Sequence, residues 1–221
     1  MRYGEYPLLV YMAELKKPHD KLFECTPAGP DALTRAAQFR RWQQIMRIRV
    51  ATNLDRDDVR EVHLCAFSAG EKQVVSTLAA NLLSQETNPE TISLVAEADG
   101  AVVGHVAFSP VTINNNKGWI GYILAPLGVK PEYQKRQVGS KLIESGIQRL
   151  SKMGVNVVFV YGDPKYYGKF GFNAVVASGY SPPYELQYPS GWQAIALDED
   201  LFTDSAVKIS CVVPLSDPEL W

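Results

Sequence analysis

The segment 124–140 combines residue types and spacings that could bind a phosphate group. Pro126 interrupts a run of β-forming residues, and because proline has no backbone N–H the strand cannot keep full ladder pairing there. A polar loop with Lys135 and Arg136 follows, and a helix then opens with Gly139 in its first turn. Exposed amides and the positive end of the dipole make a helix N-terminus attractive to anions. The pattern therefore indicates a phosphate-binding turn, although many strand–loop–helix turns bind nothing.

A second candidate is the pair Tyr166-Tyr167, which follows a predicted central strand. Asp163 can cap a short helix with Pro164 at its first position. On the residues alone, the two rings are readily explained as aromatic packing beneath that helix. A phenol hydroxyl could also take part in proton transfer, so both interpretations stay open.

No general base can be assigned from the residues. His105 lies on a predicted strand that could line a cleft, but a histidine on an apolar strand is more often hydrogen-bonded within the core. Glu132 lies in the polar loop and is more simply explained as a solvated charge. His19 and His63 have no companions in the sequence that suggest chemistry. Water could carry the proton instead.

The cysteines do not suggest metal binding or a catalytic thiol. Cys25, Cys65 and Cys211 are far apart and form no Cys/His ligand pattern, which favours free thiols in a reducing compartment. Cys65 lies among apolar residues and is predicted to be a buried core thiol. The apolar run 6–13 is too short to span a bilayer and lacks the basic start of a secretory signal. We expect a cytoplasmic protein.

Composition sets the protein class. The chain has 221 residues, of which 46% are apolar and 21% charged, a balance typical of a soluble globular domain. A net charge of −2 gives no reason to expect nucleic acid or an anionic membrane as the main partner. Residues 1–45 contain scattered prolines and differ from the rest, so we expect an N-terminal extension followed by one domain over 46–221.

Hydrophobic periodicity predicts the elements that would position the candidate residues. The first expected strand starts at Met46. Further strands are expected at 92–97, 101–109, 119–129, 155–161, 172–176, 193–197 and 206–213. Besides a first helix after the first strand, longer helices are expected at 71–83 and 138–152. The order β-α-α-β-β-β-α-β-α-β-β predicts a mixed, mostly antiparallel α/β sheet flanked by helices. The strand 119–129, the helix 138–152 and the strand 155–161 imply a parallel pair joined by a right-handed crossover.

Local signals predict several boundaries. Asn53 or Asp55 can cap the first helix. Asp99 and Gly100 predict a hairpin turn, because both central residues of such a turn need positive φ. Gly154 is a natural helix terminator. The apolar faces of the first two helices are expected to consist of Val59, Val62 and Ala66, and of Val74, Val75, Leu78 and Leu82.

Motifs in this order resemble those of a known enzyme superfamily. The run Gln134-Lys-Arg-Gln-Val-Gly139 resembles the acetyl-CoA signature of the GCN5-related N-acetyltransferase (GNAT) superfamily, Gln/Arg-x-x-Gly-x-Gly/Ala. The block 162–172 resembles the Tyr-x-x-x-Gly-Phe end of the same fold, and with 104–110 the closest likeness is to the YhbS-like branch of predicted acetyltransferases. The resemblance spans about 46–214 and implies a GNAT (acyl-CoA N-acyltransferase) fold.

The sequence departs from the signature where the family has glycine. Gln137 stands where glycine is usual, and Lys135 where it is common. Glycine there lets the backbone approach a pyrophosphate closely, so a side chain must point away for the amide to stay usable. We expect Gln137 to achieve this within a helical first turn, with acetyl-CoA binding that is weaker or differently shaped.

The resemblance also implies roles for individual residues. Amides of Leu127 and Val129 would pair with the pantetheine arm where two strands splay apart, and amides from Arg136 to Ser140 would hold the pyrophosphate. Catalytic roles would fall to Leu127, whose N–H would stabilise the developing oxyanion, and to Tyr167, which would hydrogen-bond the departing sulfur. The residues expected to bind acetyl-CoA are Leu127, Gly128, Val129, Gln134, Lys135, Arg136, Gln137, Val138, Gly139, Ser140 and Tyr167.

Three functions are compatible with this sequence. The first is an acetyl-CoA-dependent N-acetyltransferase in which a primary amine of a small molecule or peptide attacks the thioester directly. The second is a non-catalytic acyl-CoA-binding module, and the third is an interaction domain without affinity for CoA. The aromatic and proline-rich stretch 180–188 could border the acceptor site or simply cover the core. The acceptor is not readable from the sequence, and a homodimer is left open.

Overall fold

The computed structural model describes residues 46–113, 120–198 and 207–221. Expectations for 1–45, which include Cys25 and His19, lie outside the described residues. Within the described ranges, no helix combines the length and apolar character needed to cross a membrane. In chain order the elements are β1 (Arg47–Val50), α1 (Arg56–Ala66), α2 (Lys72–Ser84), β2 (Ile92–Ala98), β3 (Ala101–Ile113), β4 (Gly121–Val129), α3 (Val138–Lys152), β5 (Val157–Tyr161), α4 (Pro164–Tyr167), α5 (Ala174–Ala177), β6 (Tyr180–Ser181), β7 (Trp192–Ala196) and β8 (Val207–Cys211).

The strands form one mixed sheet in the order β1-β2-β3-β4-β5-β7. Neighbours on this path are antiparallel except for the pair β4–β5, which is parallel and connected through α3. β8 continues the sheet by pairing antiparallel with the end of β3 and parallel with β6. The predicted fold class is therefore confirmed. Helix α3 packs on one face of the sheet, and α1 and α2 cover the other.

Helix α1 buries the predicted face, with one addition. Val59, Val62 and Ala66 are buried as expected, and His63 joins them with no exposed surface. Asp55 lies directly before the helix as predicted, but its carboxylate accepts from the Thr52 backbone N–H and hydroxyl. It therefore closes the preceding turn rather than capping α1.

Three expectations were wrong. Val74 is 41% exposed, because the buried stripe of α2 runs through Val75, Leu78 and Leu82. Cys65 is exposed because it lies on the outer face of α1, away from the buried stripe. The strand expected at 172–176 is the short helix α5, whose first turn is capped by an Asn173 side chain that accepts from the backbone of Val176.

Other local predictions are confirmed. Asp99 and Gly100 have φ angles of 52° and 78° in the turn between β2 and β3. Helix α3 has the predicted bounds, and Gly154 follows it with a φ of 75°.

Candidate active site

The paired strands β4 and β5 separate at one end of the sheet. Their parallel register runs from Gly121 opposite Val157 to Ile123 opposite Phe159. Beyond that point β4 continues along β3 as far as Val129, whereas β5 continues along β7. Residues 124–129 therefore present one backbone edge that β5 does not cover. The expected splaying of these two strands is confirmed.

Pro126 lies at an irregularity of β4. Leu124 pairs with Phe108 and Leu127 pairs with Val106, so that Ala125 and Pro126 together stand opposite a single residue of β3. This is a β-bulge, a feature that absorbs a residue unable to donate to the ladder. The bulge resets the alternation of β4 immediately before the open edge.

Backbone groups of Leu127 and Val129 point toward that open edge. The Lys130 N–H donates to the Val103 carbonyl at 2.9 Å, so the polar groups of residue 130 face β3. Because polar groups alternate along an antiparallel ladder, Gly128 also faces β3, and Leu127 and Val129 face away from it.

The turn between β4 and α3 adopts a backbone conformation that favours glycine. Lys135 and Gln137 have φ angles of 60° and 63°, in the left-handed region. Both side chains are exposed. Gln137 therefore lies before the helix in a left-handed conformation, not within a helical first turn as expected. The chain keeps the glycine-type turn of the GNAT signature without glycine.

The N-terminus of α3 leaves backbone donors unused by the helix. The first bond of the helix closes from the Lys141 N–H to the Gln137 carbonyl, at 3.0 Å. Amides of Val138, Gly139 and Ser140 therefore have no acceptor within the helix, and the Gln137 side chain makes no capping hydrogen bond. Val138 and Gly139 are buried and Ser140 is half-buried.

The side chains of the polar loop between β4 and α3 make different contacts. Gln134 donates from Nε2 to the Val129 carbonyl at 3.1 Å, which ties the loop to the open edge of β4. The Arg136 guanidinium lies 5.7 Å from the centre of the Tyr133 ring. Lys135 and Glu132 are exposed. A ligand-binding role for Gln134, Lys135 and Arg136 stays a prediction.

Tyr167 is the last residue of α4, the short helix that follows β5. Asp163 caps this short helix by accepting from the Lys165 backbone at 2.9 Å. The Tyr167 ring is 2% exposed and belongs to the same core cluster as Leu127 and Val129. It lies so close to Gly162 that a β-carbon there would be 2.2 Å from its Cε2. A position of Tyr167 near the thioester stays a prediction.

Two buried histidines, His63 and His105, contact each other on the face of the sheet that α1 and α2 cover. The sequence did not suggest this pair. Nε2 of His63 is 2.8 Å from Nδ1 of His105, and Nε2 of His105 is 2.7 Å from the Ser93 hydroxyl. Burial lowers the pKa of His105 to about 3, although the negative charge of Asp55 acts to raise it. Burial, aided by His105, also holds the pKa of His63 well below its ordinary value. Both rings are therefore neutral at pH 7.

The stretch 180–188 packs against the core. Tyr180 is buried, with its ring 5.0 Å from that of Phe159. The Tyr188 backbone donates to the Tyr161 hydroxyl at 2.9 Å, and Trp221 stacks on the Tyr161 ring. The aromatic residues of this stretch therefore cover the core, and a role at the border of the acceptor site stays a prediction.

Comparisons with known proteins agree with this geometry. The family model of the acetyltransferase (GNAT) domain matches residues 47–175. YjhQ of Escherichia coli K12, an uncharacterized N-acetyltransferase, is 39% identical over 164 residues, which are 72% of this chain and 88% of YjhQ. YhbS of the same organism is 39% identical over 84 residues, 37% of this chain and 49% of YhbS.

Solved structures give the same result. The YhbS structure from Escherichia coli, in complex with CoA, superposes with a TM-score of 0.63 and 26% identity over 75% of this chain and 89% of that one. A GNAT family acetyltransferase from Brucella melitensis, in complex with acetyl-CoA, superposes with a TM-score of 0.52 and 34% identity over 73% of this chain and 94% of that one. With its fold, its α3 turn and these matches, the chain belongs to the GNAT family of acetyltransferases.

Proposed function

We propose that this protein transfers the acetyl group of acetyl-CoA to a primary amine of a small molecule or peptide by direct attack. The observation that carries the proposal is the open edge of β4, where Leu127 and Val129 point into the gap left by β5. Amides of this edge can pair with an extended amide-containing arm such as pantetheine. The solved relatives with CoA and acetyl-CoA support the same ligand.

The turn into α3 fits the diphosphate of that ligand. The left-handed backbone at Lys135 and Gln137 turns both side chains outward and leaves the amides of Val138, Gly139 and Ser140 without helical acceptors. Such amides at the positive end of a helix dipole bind phosphate. A side chain at position 137 is therefore compatible with binding, so Gln137 by itself gives no reason to infer lost activity.

The residues at the gap would do the following chemistry. The Leu127 N–H donates to the thioester carbonyl oxygen, where negative charge develops as the amine attacks. Tyr167 donates a hydrogen bond or a proton to the sulfur as the carbon–sulfur bond breaks. Most of the acceleration comes from holding the two reactants together in the correct orientation.

The first experiment measures binding. Thermal unfolding is followed with and without about 1 mM acetyl-CoA, and a ligand that binds only the folded state raises the midpoint. Absence of any shift would favour an interaction domain without CoA affinity. A shift without thiol release on a panel of amines would favour the non-catalytic module.

The second experiment tests the role of Tyr167 against its neighbour. Tyr167→Phe is expected to lower kcat by about 100-fold, because it removes the proposed proton donor while keeping the ring. Tyr166→Phe is the matched control, since Tyr166 is adjacent and also buried. Equal effects of the two substitutions on turnover, once stability is compared, would rule out a specific role for Tyr167.

We also propose a domain that starts at Met46 and a cytoplasmic location, where acetyl-CoA is available. The first strand begins at Arg47, and the family match begins at the same residue. Limited proteolysis of the full chain, followed by mass spectrometry, would locate the boundary, and cell fractionation would test the location. A homodimer is tested by light scattering.

A further inference from the structure

Gly162, the residue that follows β5, is held by hydrogen bonds to residues at the start of β7 and just before it. Its N–H donates to the Gly191 carbonyl at 2.9 Å, and its carbonyl accepts from Nε2 of Gln193 at 3.2 Å. Gln193 lies on β7 and is 2% exposed, and a polar side chain so deeply buried needs hydrogen-bond partners. Both polar groups of the Gly162 backbone are therefore fixed from the side of β7.

The ring of Tyr167 packs directly on this backbone. A β-carbon on Gly162 would be 2.2 Å from Cε2 and 2.7 Å from Cδ2 of Tyr167, so the ring keeps its place only because residue 162 is glycine. The rings of Tyr166 and Phe172 stand edge-on to it, with ring centres 5.3 and 5.8 Å away. Because the Tyr167 ring is 2% exposed, it cannot move into solvent without losing these contacts.

Gly162 lies beyond the point where β5 leaves β4. Phe159 is the last residue of β5 that pairs with β4, and the strand then continues along β7 alone. Val160 belongs to one core cluster with Val138, the first residue of α3. Tyr167, which covers Gly162, belongs to the same cluster. The ring and the backbone beneath it therefore lie on the face of the sheet that carries the proposed diphosphate turn.

We propose that Gly162 and Gln193 are positioning residues that hold the Tyr167 hydroxyl where it can hydrogen-bond the sulfur of acetyl-CoA during transfer. Gly162 acts by letting the ring rest on the backbone, and Gln193 acts by fixing that backbone. The inference rests on the proposed function, because it concerns the residue assigned there to the departing thiol.

Placement of this hydroxyl matters because the sulfur becomes negative only as the carbon–sulfur bond breaks. The amine nitrogen bonds to the carbonyl carbon, the electron pair of the carbon–sulfur bond moves to sulfur, and CoA leaves as the thiol. A protonated amine and acetyl-CoA thus give the amide, the thiol and one proton released to solvent. A donor must lie within hydrogen-bond reach of the atom it serves, and a misplacement of about 1 Å can lower the rate about 100-fold.

The first test is Gly162→Ala in the full-length protein, with Gly146→Ala as the matched control. Gly146 lies in α3, where a β-carbon would be 2.1 Å from Cε2 of Phe108, so both substitutions push a methyl group into a buried ring. We expect Gly162→Ala to lower kcat by about 10- to 100-fold, with a change of less than about 3-fold in the KM for acetyl-CoA. Gly146→Ala should also lower stability but keep the kcat of the folded protein.

A double-mutant cycle with Tyr167→Phe separates positioning from general disturbance. If Gly162 acts through the Tyr167 hydroxyl, Gly162→Ala should change kcat by less than about 2-fold once that hydroxyl is gone. An equal loss of kcat in both backgrounds, or a comparable loss in Gly146→Ala, would overturn the inference.

Gln193→Leu tests the same idea without a steric clash, and it carries the test if Gly162→Ala does not fold. Leucine has a similar volume but cannot donate to the Gly162 carbonyl, so kcat should fall by about 3- to 10-fold while acetyl-CoA still raises the midpoint of thermal unfolding. Ring position is measured by ¹⁹F NMR of protein that contains 3-fluorotyrosine, where the Tyr167 signal is the one lost in Tyr167→Phe. That signal should shift in Gly162→Ala and Gln193→Leu and stay in place in Gly146→Ala.

The outcomes separate this inference from the proposed function. A wild-type protein that releases no thiol with any amine would overturn both. Wild-type turnover that Tyr167→Phe leaves intact would overturn the role of Tyr167 and this inference, but not acetyl transfer itself. Turnover that depends on Tyr167 yet is undiminished in both Gly162→Ala and Gln193→Leu would overturn the inference alone.

Discussion

The imidazole of His63 rests directly on the backbone of Gly128, with its Nδ1 2.8 Å from the place where a β-carbon would stand. Helix α1 can contact β4 this closely because the strand has a glycine at that position. The contact joins a helix that covers the sheet to the strand edge proposed to bind the thioester.

Gly128→Ala is expected to destabilise the protein. The added methyl group collides with a buried ring that is hydrogen-bonded to His105, so α1 or β4 must shift at a cost of about 1–3 kcal/mol. Gly70→Ala is the control, because nothing lies within 4 Å of its β-carbon. Urea unfolding measures both, and an equal effect at the two glycines would contradict the described contact.

The buried histidines are expected to make the protein sensitive to mild acid. In the folded protein burial lowers the pKa of both His63 and His105, whereas in the unfolded chain they bind protons near pH 6.5. Unfolding therefore takes up protons below that pH, and stability falls as pH drops. Each histidine contributes a slope of up to about 1.4 kcal/mol per pH unit.

The measurement is the free energy of unfolding between about pH 6.5 and 5. A variant with His63→Gln and His105→Gln should lose stability less steeply over this range than the wild type. Asp55, whose charge raises the pKa of His105, is kept in both proteins. Identical slopes would show that the histidines are not neutral in the folded state.

Asp55 is expected to stabilise the fold at neutral pH through Arg49. Hydrogen bonds of 2.7 and 2.8 Å from the Arg49 guanidinium hold the pKa of Asp55 well below its ordinary value, despite burial. Asp55→Asn should therefore cost about 1.5–3 kcal/mol at pH 7. Because protonation removes the same charge, the difference from wild type should shrink as pH falls below about 4.

The matched control for this pair is Asp58→Asn. Asp58 is exposed in the first turn of helix α1, three residues after Asp55, and its replacement should cost only the interaction of one charge with the helix dipole, about 0.3–1 kcal/mol. Chemical unfolding at pH 7 and at lower pH values compares the variants. A constant difference between Asp55→Asn and wild type across that range would argue against the ion pair as the cause.

Gln137→Gly is expected to stabilise the protein. Gln137 has a φ of 63°, where a non-glycine residue is strained, and glycine would relieve this by about 0.5–1 kcal/mol net of its own entropy cost. Gln148→Gly, in the exposed middle of the same helix, should destabilise by about 1 kcal/mol. Thermal unfolding distinguishes the two, and a loss of stability in both would contradict the left-handed turn.

Local features of the fold were predictable from the sequence. The bounds of α3 follow from apolar spacing and from Gly154, and the hairpin at Asp99-Gly100 follows from the positive φ that such turns need. Each of these signals acts over a few neighbouring residues, so no tertiary contact is needed to interpret it.

Other features depended on which face of an element met the core. Val74 is apolar and Cys65 has apolar neighbours in the sequence. Both nevertheless lie outside the buried stripes of their helices. The stretch 172–176 became α5 because the Asn173 side chain caps a helical turn there, and Asn173 pairs with Ala194 only as an isolated bridge. Propensity was overridden by local capping and by packing.

The sequence by itself determined the order of elements from β1 to α4 and the family, because these depend on periodicity and short motifs. Only the tertiary structure decided that β4 and β5 part beyond Ile123, and that His63 meets His105. These two histidines are separated by 42 positions in the chain, and only the packing of α1 against the sheet brings their rings together. Contacts of that kind are set by packing geometry, which no local pattern encodes.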